Sequence, residues 1–151
     1  MALPNRYIQY LKLPTIPQDI IGTVIKDADV HFKKAKFIHG SYCWSDFENE
    51  AVNKWCQENI CSEMYFGFQI FKGNAELHKD IGSHTKIVYL IQTGGSNVRT
   101  EFFKDDGTTL LDSYCIETNQ WHILKADTFH HVMGVEPGQV RLSITGRIFA
   151  Y

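Results

Sequence analysis

From residue 64 onward, apolar and polar positions trade places in short runs, and clusters of Gly, Asn and Asp separate the runs. That is the pattern of half-buried strands joined by turns. The strand segments are "MYFGFQIF", "ELHKD", "KIVYLIQ", "NVRTEFF", "TLLDSYC", "WHIL", "DTFHHVM" and "VRLSITGRIF". The connections "KGNA", "TGGSN", "KDDGT" and "VEPGQ" carry residues suited to tight turns. Upstream the period lengthens. "QDIIGTVIKDA" reads as a helix with Pro17 in its first turn. "SDFENEAVNKWCQENI" reads as a second helix, with Ser45 and Glu48 as an S-x-x-E capping box. Phe47, Ala51, Val52, Trp55 and Ile60 would line its inner face. Helices first and strands after predict an α+β fold. Its core would be a double-stranded β-helix, jelly-roll or cupin-like, of about eight strands, with the N-terminal helices packed on one sheet.

Composition narrows this picture. A chain of 151 residues is expected to form one domain, 1–151, with 1–62 as helical support and 63–151 as the β core. There is no internal repeat and no linker. A formal net charge of -2 with no basic block argues against general nucleic-acid binding. No run approaches the ~18 apolar residues of a membrane span. The start, "MALPNRYIQYLKLP", lacks a secretory pattern. Cys43, Cys56, Cys61 and Cys115 form no CxxC pair and read as reduced packing thiols. A cytoplasmic location is expected.

The candidate chemistry lies at strand ends. His78 and Asp80 are two apart, so both point one way from an extended backbone. In "DTFHHVM", His130 shares a face with Thr128 and Val132, and His131 shares the other with Phe129 and Met133. Only one of the two can face inward. In the last strand Arg141, Ser143, Thr145 and Arg147 share a polar face. By itself that face reads as solvated. Taken with His78, Asp80 and His130 it reads as a cavity wall. Two histidines and a carboxylate suit a non-haem Fe(II) site with open positions. An Arg fork suits a carboxylate. Ser143 on the same face and Tyr89 on a neighbouring strand could add hydroxyls. Asp80 and His130 are 50 positions apart, and His130 and Arg141 are 11 apart.

These residues resemble the Fe(II)- and 2-oxoglutarate-dependent oxygenases, especially their prolyl-hydroxylase-like branch. The resemblance covers about residues 64–149. "LHKD" is similar to the family's first metal strand, "KIVYLIQTGG" to the strand after it and "TEFF" to a T-x-F strand. "FHHVMGVEPGQVRLSITGRI" is similar to the closing segment. The resemblance implies that His78, Asp80 and His130 hold iron. It implies that Arg141, helped by Ser143 and Tyr89, binds the distal carboxylate of 2-oxoglutarate. His131 competes with His130, but His130 aligns Val132, Val135 and Gly138 with the family pattern. Phe71 stands where the family often has Tyr, with Tyr65 or Gln69 as substitutes. The implied cofactors and co-substrates are Fe(II), 2-oxoglutarate and O2, with ascorbate as a reductant. The implied activity is dioxygenase hydroxylation of an unactivated C–H. The substrate would be a prolyl or other protein side chain in a peptide, or a small molecule.

Two other readings remain open. One is a cupin-like metal- or anion-binding module without turnover, though a metal-only cupin has no need of the Arg141 and Ser143 clamp. The other is a zinc hydrolase, for which only Glu76 offers a general base. Elsewhere, His84 reads as a solvated loop residue, Arg99 as an exposed strand residue, and His122, beside Trp121, as packing. Trp44 and Phe47 in "FIHGSYCWSDF" read as packing under the second helix, and His31 and His39 have no evident partner.

Overall fold

The structure is a computed structural model that describes residues 7–32, 37–38, 42–80 and 86–148. His39, His84 and the side chains of Cys43, Trp44 and Ser45 lie outside the described part. In chain order the elements are β1 (Ile8–Leu11), α1 (Gln18–Phe32), β2 (Phe37–Ile38), β3 (Tyr42–Glu48), α2 (Glu50–Asn59), β4 (Met64–Phe71) and β5 (Ala75–His78). Then follow β6 (Lys86–Thr93), β7 (Arg99–Phe103), β8 (Leu110–Tyr114), β9 (Trp121–Leu124), β10 (Phe129–Met133) and β11 (Arg141–Ile148).

All eight strands expected from the alternation are present, as β4 to β11. They divide between two antiparallel sheets. The larger runs β1-β9-β6-β11-β4-β3-β2 and the smaller β5-β10-β7-β8. From β4 to β7 the chain changes sheet at every strand, and it does so again from β8 to β11. Consecutive strands therefore face each other across the interior, and residues far apart in sequence meet there.

The larger sheet is buried on both faces. On one, Phe66, Phe68, Ile70, Ile87, Tyr89, Trp121, Leu142 and Ile144 pack against Ile21, Val24 and Ala28 of α1 and Val52 and Cys56 of α2. Each large apolar side chain removed from water here stabilises the fold by about 1.5–3 kcal/mol. Trp121 is buried without an orphan donor, since its Nε1 donates to the Pro14 carbonyl at 3.0 Å. The other face carries Gln69, Val88, Leu90, His122, Arg141 and Ser143, which look toward the smaller sheet across a cavity. Strand alternation makes this division: odd and even positions of β11 go to opposite sides.

The N-terminal third differs from the expected helical support. It contains α1, but also β1, which pairs antiparallel with β9, and β3, which pairs with β4. The S-x-x-E pattern at Ser45 and Glu48 is not a cap. Both residues belong to β3, where Ser45 lies opposite Ile70 and Glu48 opposite Gly67. The cap is Asn49. Its side-chain oxygen accepts from the Val52 backbone N–H at 2.9 Å, and its Nδ2 donates to Asp27 Oδ2 at 2.7 Å, tying α2 to α1. An Asn is as good a cap as Ser, and strand pairing of residues 44–48 leaves no room for the helix to start earlier. No helix among the described residues is long and apolar enough to cross a membrane.

Candidate metal centre and its cavity

β5 and β10 are neighbours in the smaller sheet, and His78 lies directly opposite His130 across that pair. Their rings are 4.3 Å apart between centroids. Asp80 follows β5 by two residues and is held by its backbone N–H, which donates to the Ala126 carbonyl at 2.9 Å. Its Oδ1 lies 3.4 Å from His78 Nε2. One ligand atom from each of His78, Asp80 and His130 falls within a common 4.8 Å, and this group can hold a metal ion. A first-row divalent ion sits about 2 Å from nitrogen and oxygen ligands, so small side-chain rotations close the set around one ion.

The backbone fixes which nitrogens are offered. His78 Nδ1 lies 2.7 Å from the Glu76 carbonyl, and His130 Nδ1 lies 2.7 Å from the Thr128 carbonyl. A carbonyl only accepts, so each Nδ1 carries the hydrogen. Each neutral ring then presents the Nε2 lone pair to the cluster, as a metal-ligating histidine does. The donor set therefore fits a divalent transition metal.

For His130 and Asp80, electrostatics agree with that assignment. Burial holds the His130 pKa down at about 4, so its ring is neutral. Burial also pulls His78 down, but hydrogen bonds to Asp80 and the Glu76 carbonyl and the Asp80 charge outweigh it, leaving a raised pKa. Burial raises Asp80, yet the His78 hydrogen bond and the nearby Lys86 charge bring it below the ordinary carboxylate value. Asp80 is ionised.

The cavity beside this group has a volume of about 80 Å³. Val88, Leu90, Ile116, Leu124 and Val132 make its walls apolar, and Arg141, Ser143, Gln69, His122, Lys86 and Thr100 add polar groups. Arg141 is 5% exposed. Its guanidinium donates to the Thr93 carbonyl at 3.1 Å and to Thr100 Oγ1 at 3.4 Å. No acid among the described residues pairs with it in an ion pair. Burial lowers its pKa to about 10, and it remains a cation at neutral pH. A register shift between Leu142 and Ser143 in the β11–β6 pairing sets Arg141 opposite Thr93. Such bulges re-aim side chains at sites. The following turn packs against it. Gly94 has φ +87°, and a Cβ there would come within 3.2 Å of the Arg141 backbone N and Cβ, so glycine answers both demands.

His78, Asp80, His130, Arg141 and Ser143 thus all line one cavity. His131 does not. It is on the outer face of β10, with Nε2 2.9 Å from Glu101 Oε1 on β7. Tyr89 does not either, which corrects the expectation that its hydroxyl joins Arg141. Lys86, Val88 and Leu90 are the cavity face of β6, and period-two alternation sends Tyr89 to the helix side, where its ring is tilted against Trp121 at 5.0 Å between centroids. There burial raises its pKa and its hydroxyl bonds the Ile16 backbone. Lys86 is a cavity residue that the sequence reading passed over, and His122 is one that it read as packing. The signal was available in the same parity, Lys86 with Val88 and Leu90, and His122 with Leu124. Arg99 is exposed and donates to Ser113 Oγ at 3.3 Å. His31 has a partner after all, stacking on Phe47 at 4.3 Å.

A pH prediction follows for the metal-free protein. His122 and His130 are both held near 4 by burial, while an unfolded histidine titrates at about 6.5. Between those values the unfolded chain binds more protons at both positions, so stability falls as pH drops from about 6.5 toward 4. His78, raised, acts oppositely: its stabilisation is complete below the unfolded pKa and fades as pH rises through the folded one. Two depressed groups outweigh one raised group. Urea midpoints should fall on acidification, at up to about 1.4 kcal/mol per pH unit and group. His122→Phe should flatten the slope. A midpoint that rises on acidification would contradict the neutral burial of these rings.

No protein-family model matches the sequence, and comparison with curated proteins finds no match. The fold does have relatives among solved structures. A prolyl-4-hydroxylase from Pseudomonas putida superposes with a TM-score of 0.61 at 13% identity, covering 97% of this chain and 94% of that one. The non-heme alpha ketoglutarate dependent epimerase SnoN from nogalamycin biosynthesis gives 0.61 at 8% identity, over 91% of this chain and 75% of that one. The non-heme alpha ketoglutarate dependent carbocyclase SnoK of the same biosynthesis gives 0.61 at 7% identity, over 93% and 78%. At these identities the likeness is one of fold.

Proposed function

We propose that this chain is an Fe(II)- and 2-oxoglutarate-dependent dioxygenase that hydroxylates an unactivated C–H, built on a double-stranded β-helix. The observation that carries the reading is one cavity lined by a His-Asp-His group and by a buried Arg141 with no acid partner among the described residues. A metal-binding module would need only the first. The fold neighbours named for alpha ketoglutarate dependence and for prolyl hydroxylation support it.

In this reading His78 Nε2, His130 Nε2 and an Asp80 oxygen hold the metal. Iron and the co-substrate, when bound, supply the oxidising power: 2-oxoglutarate, O2 and R–H become succinate, CO2 and R–OH. The protein's residues bind, orient and keep water out. The Glu76 and Thr128 carbonyls lock both imidazoles in one tautomer. Arg141 spends one donor each on Thr93 and Thr100, and the rest of its five N–H groups can grip a distal carboxylate. The Ser143 hydroxyl stands two residues along the same face. The side chains of His78 and Asp80 are 27% and 32% exposed, so substrate would approach from the metal side, and the Arg141 side stays closed. A prolyl or other protein side chain is the favoured substrate class.

The direct test is spectroscopic. Anaerobic addition of Fe(II) and 2-oxoglutarate should give a weak visible charge-transfer band, absent in His78→Ala. Bound iron with no band would show that the 2-oxo acid does not chelate and would favour a module without turnover.

A further inference from the structure

Lys86, the first residue of β6, is half-buried and lines the cavity with Val88 and Leu90. A cation turned inward among apolar walls costs free energy unless something answers its charge. Gln69 of β4, 3% exposed, accepts from its Nζ at 3.4 Å. Gln69 is neutral, so that bond anchors the ammonium without cancelling its charge. The charge stands beside the metal group, close enough to act on His78, Asp80 and His130. The β11 residue directly opposite Lys86 is Arg147, so a second cation is its cross-strand neighbour on the inner face. Like charges so placed repel. Glu48, an exposed acid of β3, accepts from the hydroxyl of Tyr65, which lies opposite Arg147 on β4.

Lys86 and Arg141 are the cations that line the cavity, Asp80 is the acid, and burial keeps His122 and His130 neutral. A divalent metal would add two positive charges, and 2-oxoglutarate two negative ones. The distal carboxylate answers Arg141, and the other carboxylate together with Asp80 answers the metal. Among these groups one positive charge is left over, on the side where His78 and Asp80 open to solvent. We propose that Lys86 is a substrate-recognition residue, and that the substrate carries a carboxylate close to the C–H that is hydroxylated. This rests on the reading of the cavity as a 2-oxoglutarate site and names the chemistry of what enters beside the metal. A positive field in a mouth with low-dielectric walls concentrates anions. An ammonium has three hydrogens to give, and one can go to a carboxylate oxygen while Gln69 keeps its own. Arg147 adds to the field. The carboxylate can belong to an acidic side chain next to the target residue or to a small free acid.

The test uses the full chain loaded with Zn(II) and 2-oxoglutarate, so that no turnover occurs. Calorimetric titration compares two matched pairs of probes. N-acetyl-proline against N-acetyl-prolinamide stands for the small acid, and the peptide Ala-Pro-Asp-Ala against Ala-Pro-Asn-Ala, both blocked at their ends, stands for the acidic side chain. In one pair or both, the wild-type protein should favour the acid by about tenfold or more, the worth of a charge-assisted hydrogen bond. The pair that shows the preference identifies the source of the carboxylate. Lys86→Met should bring that preference within about twofold and leave the affinity for the amide, for zinc and for 2-oxoglutarate as it was. Lys86→Arg, which keeps the charge, should keep most of the preference. The wild-type comparison needs no variant to fold. Equal binding of acid and amide in both pairs, binding of neither acid, or a preference that survives Lys86→Met would overturn the proposal. Wild-type protein that binds zinc but not 2-oxoglutarate would instead overturn the reading of the site itself.

Discussion

Asp80→Asn protein should fold as the parent does, bind a divalent metal at least about 100-fold more weakly, and show no metal-dependent turnover of 2-oxoglutarate. The change keeps the shape of the side chain and removes its charge. Losing an outer hydrogen-bond partner of a metal ligand already costs roughly 10–100-fold in affinity, and Asp80 is itself one of three ligands on offer. The apoprotein should lose little, because Asp80 is partly exposed and its backbone, not its side chain, makes the bond to Ala126. A second reading of the same variant isolates the electrostatics. The His78 pKa is raised against the pull of burial by its hydrogen bond to Asp80, the Glu76 carbonyl and the Asp80 charge, so it should fall in the Asn protein. Metal affinity comes from competition with a chromophoric chelator, and the His78 titration from proton NMR of the apoprotein. Affinity within tenfold of the parent would mean that His78, Asp80 and His130 do not hold the metal together.

Most of the β core was legible because its strands carry their own instructions. "MYFGFQIF" and "VRLSITGRIF" alternate cleanly, end at turn residues, and fold as β4 and β11 at nearly those limits. β1 carries no such instruction. In Ile8–Leu11 only Ile8 is buried, and the strand exists because β9, far along the chain, offers an edge in register, Ile8 against Leu124. Residues 42–48 misled for a related reason. Their S-x-x-E spacing is a local signal, while their pairing with β4 is a non-local one, and the pairing won. The candidate site divides in the same way. Alternation says that His130 and His131 face opposite ways, but not which faces in. That is settled by register, which sets His130 opposite His78 on β5 and opposite Phe102 on β7. It leaves His131 to pair with Glu101 outside. Tyr89 was misplaced although its parity with Ile87 and against Val88 was readable, because a hydroxyl near the site carried more weight than the period. His122 was read as packing although its parity with Leu124 placed it on the cavity face, because a histidine beside Trp121 gives no local sign of a cavity.

Arg141 has the sharpest conflict between stability and binding, and Arg141→Met should expose it. Affinity for 2-oxoglutarate should fall at least about 100-fold, within the range for removing one partner of a buried charge pair. Metal affinity should not move, because Arg141 is not among the grouped ligand atoms. Stability of the apoprotein should hold or rise. A buried cation that lacks an acid is a cost to folding, and burial has already drawn its pKa down to about 10. Against that gain stand only the bonds to Thr93 and Thr100, each worth about 1 kcal/mol net. Met fills similar space with apolar atoms. Arg141→Lys separates charge from shape. It keeps the cation but loses the planar fork, so it should recover only part of the affinity. Unfolding in urea and titration with 2-oxoglutarate measure the two quantities on the same samples. Marked destabilisation with intact binding would make Arg141 a strut between β11 and the end of β6. Lost binding at undiminished stability is what a residue kept for its ligand must show, because among the described residues two neutral hydrogen bonds and no acid stand against the burial of its charge.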